Sequence, residues 1–167
     1  MSKIIKTLIG IIGLFLIVSA CQEDPNPSKT KPSGMNPNIY PPILNVVIDG
    51  ETIGTTSGSY CWNQEVSRNH EVTECADMED PVVIEKEKEG EPPSFSSGSI
   101  VELEFSESDW PTSLHVTVQT STNENEQDIT LADQTFNLPE ESDDYIYRVT
   151  ADWEQGDTSH AFMIKVE

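Results

Sequence analysis

Three histidines, three cysteines and 30 acidic side chains are the groups in this sequence that could do chemistry. Their spacing decides which chemistry is open to them. His70, His115 and His160 stand far apart, with neither H-E-x-x-H nor H-x-H among them, so the local pattern that puts two imidazoles on one zinc ion is missing. Only the fold could bring them together. Ser57-Gly58 and Ser97-Gly98 read as turn residues, without the G-x-S-x-G frame that presents a nucleophile. Glu140, Glu141, Asp143 and Asp144 crowd one turn, and Asp77, Glu79 and Asp80 crowd another. Calcium needs about six to eight oxygens in a defined loop, and neither cluster has the D-x-[DN]-x-[DN]-G order. Asp143 and Asp144 remain the one candidate cation pair, with a solvated turn as the plain alternative. No catalytic residue and no cofactor is assigned.

Short strands are the elements that must position these groups. From Ile43 onward, apolar and polar residues alternate in short runs separated by turn residues, the mark of half-buried strands. In SIVELEF (99–105), Val101, Leu103 and Phe105 share one face and Glu102 and Glu104 the other. SLHVTVQ (113–119) turns Leu114, Val116 and Val118 inward and His115, Thr117 and Gln119 outward. DYIYRVTADW (144–153) groups Tyr145, Tyr147, Val149, Ala151 and Trp153. The turn EQGD (154–157) then leads into TSHAFMIKVE, where Phe162, Ile164 and Val166 complete a terminal hairpin.

Further strands are expected in ILNVVIDG (43–50), TTSGSYCW (55–62), PVVIEK (81–86), QDITLA (127–132) and QTFNLP (134–139). No convincing amphipathic helix stands out, although residues 63–80 have room for a short helical turn. EKEKEGEPPSFSSGS (85–99) reads as a mobile connection. About seven or eight strands over residues 43–167 predict one all-β domain, a single antiparallel β-sandwich with one modest core.

Ahead of the strands, Lys3 and Lys6 precede an apolar run from Leu8 to Val18. That run has the length of a secretory signal core and falls short of the ~20 residues that span a bilayer. Val18-Ser19-Ala20-Cys21 follows directly and resembles the lipobox of bacterial lipoproteins. The resemblance implies removal of the signal peptide, residues 1–20, diacylglycerol in thioether linkage on Cys21, and lipid anchoring with chains such as palmitate to the extracytoplasmic face of the cell membrane. One acyl chain binds a membrane only marginally, whereas two on one cysteine give stable attachment. The alternative is an ordinary cleaved signal followed by an incidental cysteine. Residues 22–42 carry six prolines and few apolar side chains. They read as a disordered tether with a reach of roughly 60 Å.

Loss of residues 1–20 would remove two lysines and no acids, leaving 7 basic against 30 acidic residues and a net charge of −23. Such a surface repels phosphate, which excludes nucleic acid as a partner and keeps the domain off an anionic bilayer. With Cys21 assigned to lipid, Cys61 and Cys75 remain as an even pair in a compartment where disulfides persist. Bridging them closes a short loop, with a stabilisation of roughly 3 kcal/mol on the chain-entropy estimate. Their spacing is far from C-x-x-C, and only His70 stands near enough to join them on zinc.

The segment LPEESDDYIYRV (138–149) resembles the approach to the penultimate strand of immunoglobulin-like domains, where an aspartate precedes a tyrosine that closes a corner. The cysteines depart from that pattern: Cys61 and Cys75 are too close for an inter-sheet pair, and no cysteine follows Tyr147. Together with GSYCW (58–62) and the Y-x-Y-x-V-x-A-x-W run, the chain is similar to small lipoproteins of bacillus-type bacteria, a resemblance that implies no activity.

Trp153 falls on an inward face, whereas Trp62 and Trp110 lie near expected loops, where an exposed aromatic can anchor a partner. Packing against the disulfide is the plainer account of Trp62. The expected function is that of a membrane-anchored lipoprotein acting as a binding or structural module, with the membrane and a cell-surface protein or the cell wall as partners. A regulatory or sensory lipoprotein, or an extracytoplasmic hydrolase whose site assembles only in the fold, is the alternative.

Overall fold

The computed structural model describes residues 40–67, 70–106 and 110–167. The expected signal peptide, Cys21 and the expected tether up to residue 39 lie outside the described residues. The elements follow in the order β1 (Leu44–Ile48), β2 (Glu51–Ile53), β3 (Thr56–Ser67), β4 (His70–Ala76), α1 (Pro81–Glu87), β5 (Ser94–Phe95), β6 (Ile100–Phe105), β7 (Ser113–Thr120), β8 (Asn123–Ile129), β9 (Thr135–Asn137), β10 (Asp144–Trp153) and β11 (Gly156–Val166).

Period-two alternation sorts these strands into two layers. One sheet runs β2-β1-β6-β9 and the other β4-β3-β11-β10-β7-β8, with β5 joined in parallel to β11. Leu44, Val46, Ile48, Val101, Leu103 and Phe136 of the first sheet face Val116, Tyr145, Tyr147, Val149, Phe162, Ile164 and Val166 of the second. This interface is the core of the all-β sandwich. The order β1-β6-β9 against β7-β10-β11 matches strands A, B, E and C, F, G of the immunoglobulin arrangement. The segment from β2 to α1 is an insertion after the first strand. Tyr145 closes the corner, its hydroxyl donating to the carbonyl of Glu141 at 3.1 Å.

Two turns fix the register. Asp49 and Gly50 take φ of 52° and 81° and join β1 to β2 as a two-residue hairpin turn. Glu154 and Gln155 join β10 to β11, and the amide of Asn63 donates to the carbonyl of Gln155 at 2.7 Å, so β3 packs against this turn. Gly156 sits where β3 passes. A Cβ there would lie 1.9 Å from the Cys61 carbonyl oxygen.

Four segments differ from the sequence expectation. PVVIEK forms α1 and not a strand. Pro81 has no N–H to give to a ladder but fits a first helical turn, and the Asp80 carboxylate caps the helix by accepting from the amide of Val82 at 2.9 Å. Val82 then covers Ile146 and Ala161 on the outer face of the larger sheet. Gly58 permits this approach, because a Cβ there would stand 2.7 Å from Cδ of Pro81.

Among the described residues of 63–80 no helical turn precedes α1; the end of β3 and all of β4 pair as antiparallel strands. The pairs Trp62↔Glu74 and Asn63↔Thr73 continue the ladder, and Thr73 Oγ1 donates to Asn63 Oδ1 at 2.5 Å. The expected mobile connection at 85–99 is tied down as well. The amide of Lys165 donates to the carbonyl of Pro93 at 2.9 Å, and Phe95 is buried in the core. The strand expected at 127–132 runs instead from Asn123 to Ile129; it is an edge strand, polar on both faces, and so carries no alternation to mark it.

Gly156→Ala forces backbone apart where β3 crosses the terminal hairpin. The expected cost is about 3 kcal/mol, the upper end of the overpacking range, read as a lowered denaturation midpoint at unchanged slope.

Candidate functional site

The cysteine pair is directly opposed in the β3–β4 ladder, Cys61 facing Cys75 with Cα atoms 4.1 Å apart. Both half-cystines are exposed. β3 pairs with β11 only as far as Trp62↔Gly156, and from Asn63 onward it pairs with β4 alone. A two-stranded ribbon is marginal in water by itself. The disulfide therefore staples the ribbon at its base, as a local bridge and not an inter-sheet one. An open hollow of about 270 Å³ surrounds it, bounded by Ser59, Tyr60, Asp77 and Asp157.

The aromatics separate by exposure. Trp62 is 7% exposed and packs edge-to-face on Trp153 at 5.5 Å. It belongs to the core, so the loop anchor expected at this residue is absent. Strand alternation also turns it away from the neighbouring Cys61, so it does not pack on the disulfide either. Phe105 links Trp153 at 5.0 Å to Trp110 at 5.4 Å. Trp110 keeps 37% of its surface exposed and is the one expected aromatic anchor that reaches solvent. Ile43 is exposed at the same end, joined to Ser106 by paired hydrogen bonds of 2.9 Å.

The fold does not gather the histidines. His70 is exposed at the start of β4, His115 lies on the outer face 3.0 Å from Asp128, and His160 is buried on the inner face of β11. Among the described residues no group of three or more His, Cys, Asp or Glu side chains could hold a metal ion. The Asp143 carboxylate accepts from the amide of Asp144 at 2.8 Å, Asp144 opens β10 opposite Lys165, and the Asp143 carbonyl accepts from the amide of Val166 at 2.9 Å. Glu140 and Glu141 are exposed beside them.

Two arrangements escape sequence reading. Ser57 Oγ lies 3.3 Å from His160 Nδ1, a serine–histidine contact across 103 residues. Among the described residues no carboxylate orients the imidazole, and Nε2 is buried without a hydrogen-bond partner. On the outer face Arg148 reaches Asp80 at 3.0 Å and Glu126 at 3.2 Å, and Thr117 Oγ1 donates to Glu126 at 3.1 Å. Burial would raise the Asp80 carboxyl, but the Arg148 guanidinium and the Val82 amide together hold it below its ordinary value. The Asp80-Pro81 pair was the sequence signal for this helix start; the partner charges on β8 and β10 left none.

Burial pushes the His160 imidazole down to about 4 from an ordinary 6.5. The unfolded chain binds this proton more readily than the folded one, so the full contribution is present above pH 6.5 and is lost as pH falls toward 4. From pH 7.5 to pH 5 the linked loss of unfolding free energy is about 2 kcal/mol. Denaturant titrations at the two pH values should show it, and His160→Leu should flatten the dependence over that window. Compared with models of protein families, with curated proteins and with solved structures, the chain matches none, so its site is read from its own residues.

Proposed function

We propose that the protein is a lipoprotein held at the outer side of the cell membrane by acyl chains on Cys21, where its β-sandwich acts as a binding or structural module. The observation that carries this reading is the exposed Cys61–Cys75 bridge, a bond that persists in oxidising surroundings. Its two cysteines are used within one ribbon, which leaves Cys21 as the unpaired third. The lipobox pattern gives that residue its role. A net charge of −21 supports a domain that stays soluble beside the membrane and meets cationic partners, on a cell-surface protein or in the cell wall.

A second reading, an extracytoplasmic hydrolase, is favoured by one observation only, the Ser57–His160 contact. It lacks an orienting carboxylate, and neither residue opens into the clefts beside α1, the ribbon or the disulfide. Binding is therefore the better account of the geometry. Labelling with a fluorophosphonate separates the two: covalent modification of Ser57 would favour the enzyme.

Cys21→Ser should move the protein from the membrane fraction to the soluble fraction, and intact-mass analysis of native material should show a diacylglyceryl cysteine at a new N-terminus. Retention of the serine variant in the membrane would contradict the anchor. Replacing Cys61 and Cys75 together with alanine should cost about 3 kcal/mol of stability without changing membrane fractionation.

A further inference from the structure

The C-terminal end of α1, the end of β2 and residues 88–93 enclose an open cleft of about 280 Å³. Ile53, Met163, Pro92 and Pro93 give it apolar lining. Glu85, only 4% exposed, contributes a carboxylate to the wall. Its Oε1 accepts from Thr56 Oγ1 at 2.5 Å and from Lys88 Nζ at 2.5 Å. The two donors differ in freedom. Thr56 is fixed in β3, whereas the Lys88 side chain is 49% exposed, lies just past the last helical residue and has a flexible stem.

A buried carboxylate stripped of its cation is strongly unfavourable, so Glu85 requires an ammonium but does not require this one. The surroundings favour a second cation. Glu89 and Glu91 bring the lining to three carboxylates against the single ammonium of Lys88. Guanidinium recognition rewards a fork that engages both carboxylate oxygens, and Oε1 is already held by Thr56. A compact ammonium on an apolar stem fits better.

We infer that this cleft receives a lysine side chain from a basic partner polypeptide, whose ammonium replaces that of Lys88 on Glu85 while its stem lies along Ile53, Met163, Pro92 and Pro93. Lys88 is the resident occupant of the free protein and turns to solvent when the partner arrives. The inference rests on the reading of the domain as a binding module and makes no use of the lipid on Cys21.

Isotope-labelled full chain titrated with N-acetyl-lysine methylamide, and separately with N-acetyl-norleucine methylamide, which keeps the stem and lacks the charge, tests it by amide chemical shifts. The lysine compound should give saturable shifts at residues 53, 54, 85, 88–91 and 163, and the norleucine compound should not. Lys88→Ala, by removing the internal competitor, should tighten binding by about five-fold or more, and Glu85→Gln should abolish it. Should Glu85→Gln fail to fold, Lys88→Ala on the exposed side still decides. Equal response to norleucine, shifts located elsewhere, no saturable response in either the native chain or Lys88→Ala, or unchanged affinity in Lys88→Ala would overturn the inference. Membrane fractionation would be untouched by any of these outcomes, so the anchor and the cleft fail separately.

Discussion

The pairing of β10 with β11 is the constraint on which the rest of the domain depends. Their ladder runs from Asp144↔Lys165 to Trp153↔Gly156. β7 takes the other edge of β10, while β3 and β5 share the other edge of β11. The inner face is core through Tyr145, Tyr147, Val149, Phe162 and Ile164, and the outer face is closed where Val82 covers Ile146 and Ala161. Backbone groups so enclosed have no water to turn to, and the ladders on both sides satisfy them. Polar side chains are admitted here only sparingly, His160 and Thr158 being the buried exceptions on β11.

Charge is arranged around this hairpin, not within it. Lys86, Lys88, Arg148 and Lys165 each stand on a carboxylate, at Glu124, Glu85, Asp80 with Glu126, and Glu167 respectively. The exposed pairs at Lys86 and Lys165 contribute little stability each. The Arg148 group differs because it ties the cap of α1 to β8 across the sheet, fixing the helix that forms one wall of the Glu85 cleft. Among the described residues these four cations face a larger number of carboxylates, and that excess is the ground for the basic partner proposed above.

The strands that alternate cleanly were legible from the residues. Val101 and Leu103, Val116 and Val118, and the inward sets of β10 and β11 fall where period two puts them. What sequence could not show was the covering of an outer face. Thr117 and Gln119 read as wet, yet both are 7% exposed. For Thr117 the cause is Glu126 on the adjacent strand, which no local pattern announces. PVVIEK has the β-branched content of a strand, and only the Asp80-Pro81 start tells against it. The ribbon and β5 were lost for the opposite reason: the ribbon is mostly polar and Phe95 stands alone among Pro, Ser and Gly, and the disulfide in the one case and pairing with β11 in the other hold them. At the site, Trp110 was legible as an exposed aromatic and Trp62 was not legible as core, since burial there comes from Trp153, 91 positions away.

Native-state hydrogen exchange resolved by residue tests the primacy of the β10–β11 ladder most directly. Amides of Ile146 to Thr150 and of Ala161 to Ile164 should exchange only through global unfolding, with those of the edge strands β4 and β8 opening at lower free energy. Exchange of the β10–β11 amides at the same low free energy as β4 and β8, with protection concentrated in the four-stranded sheet instead, would contradict the account.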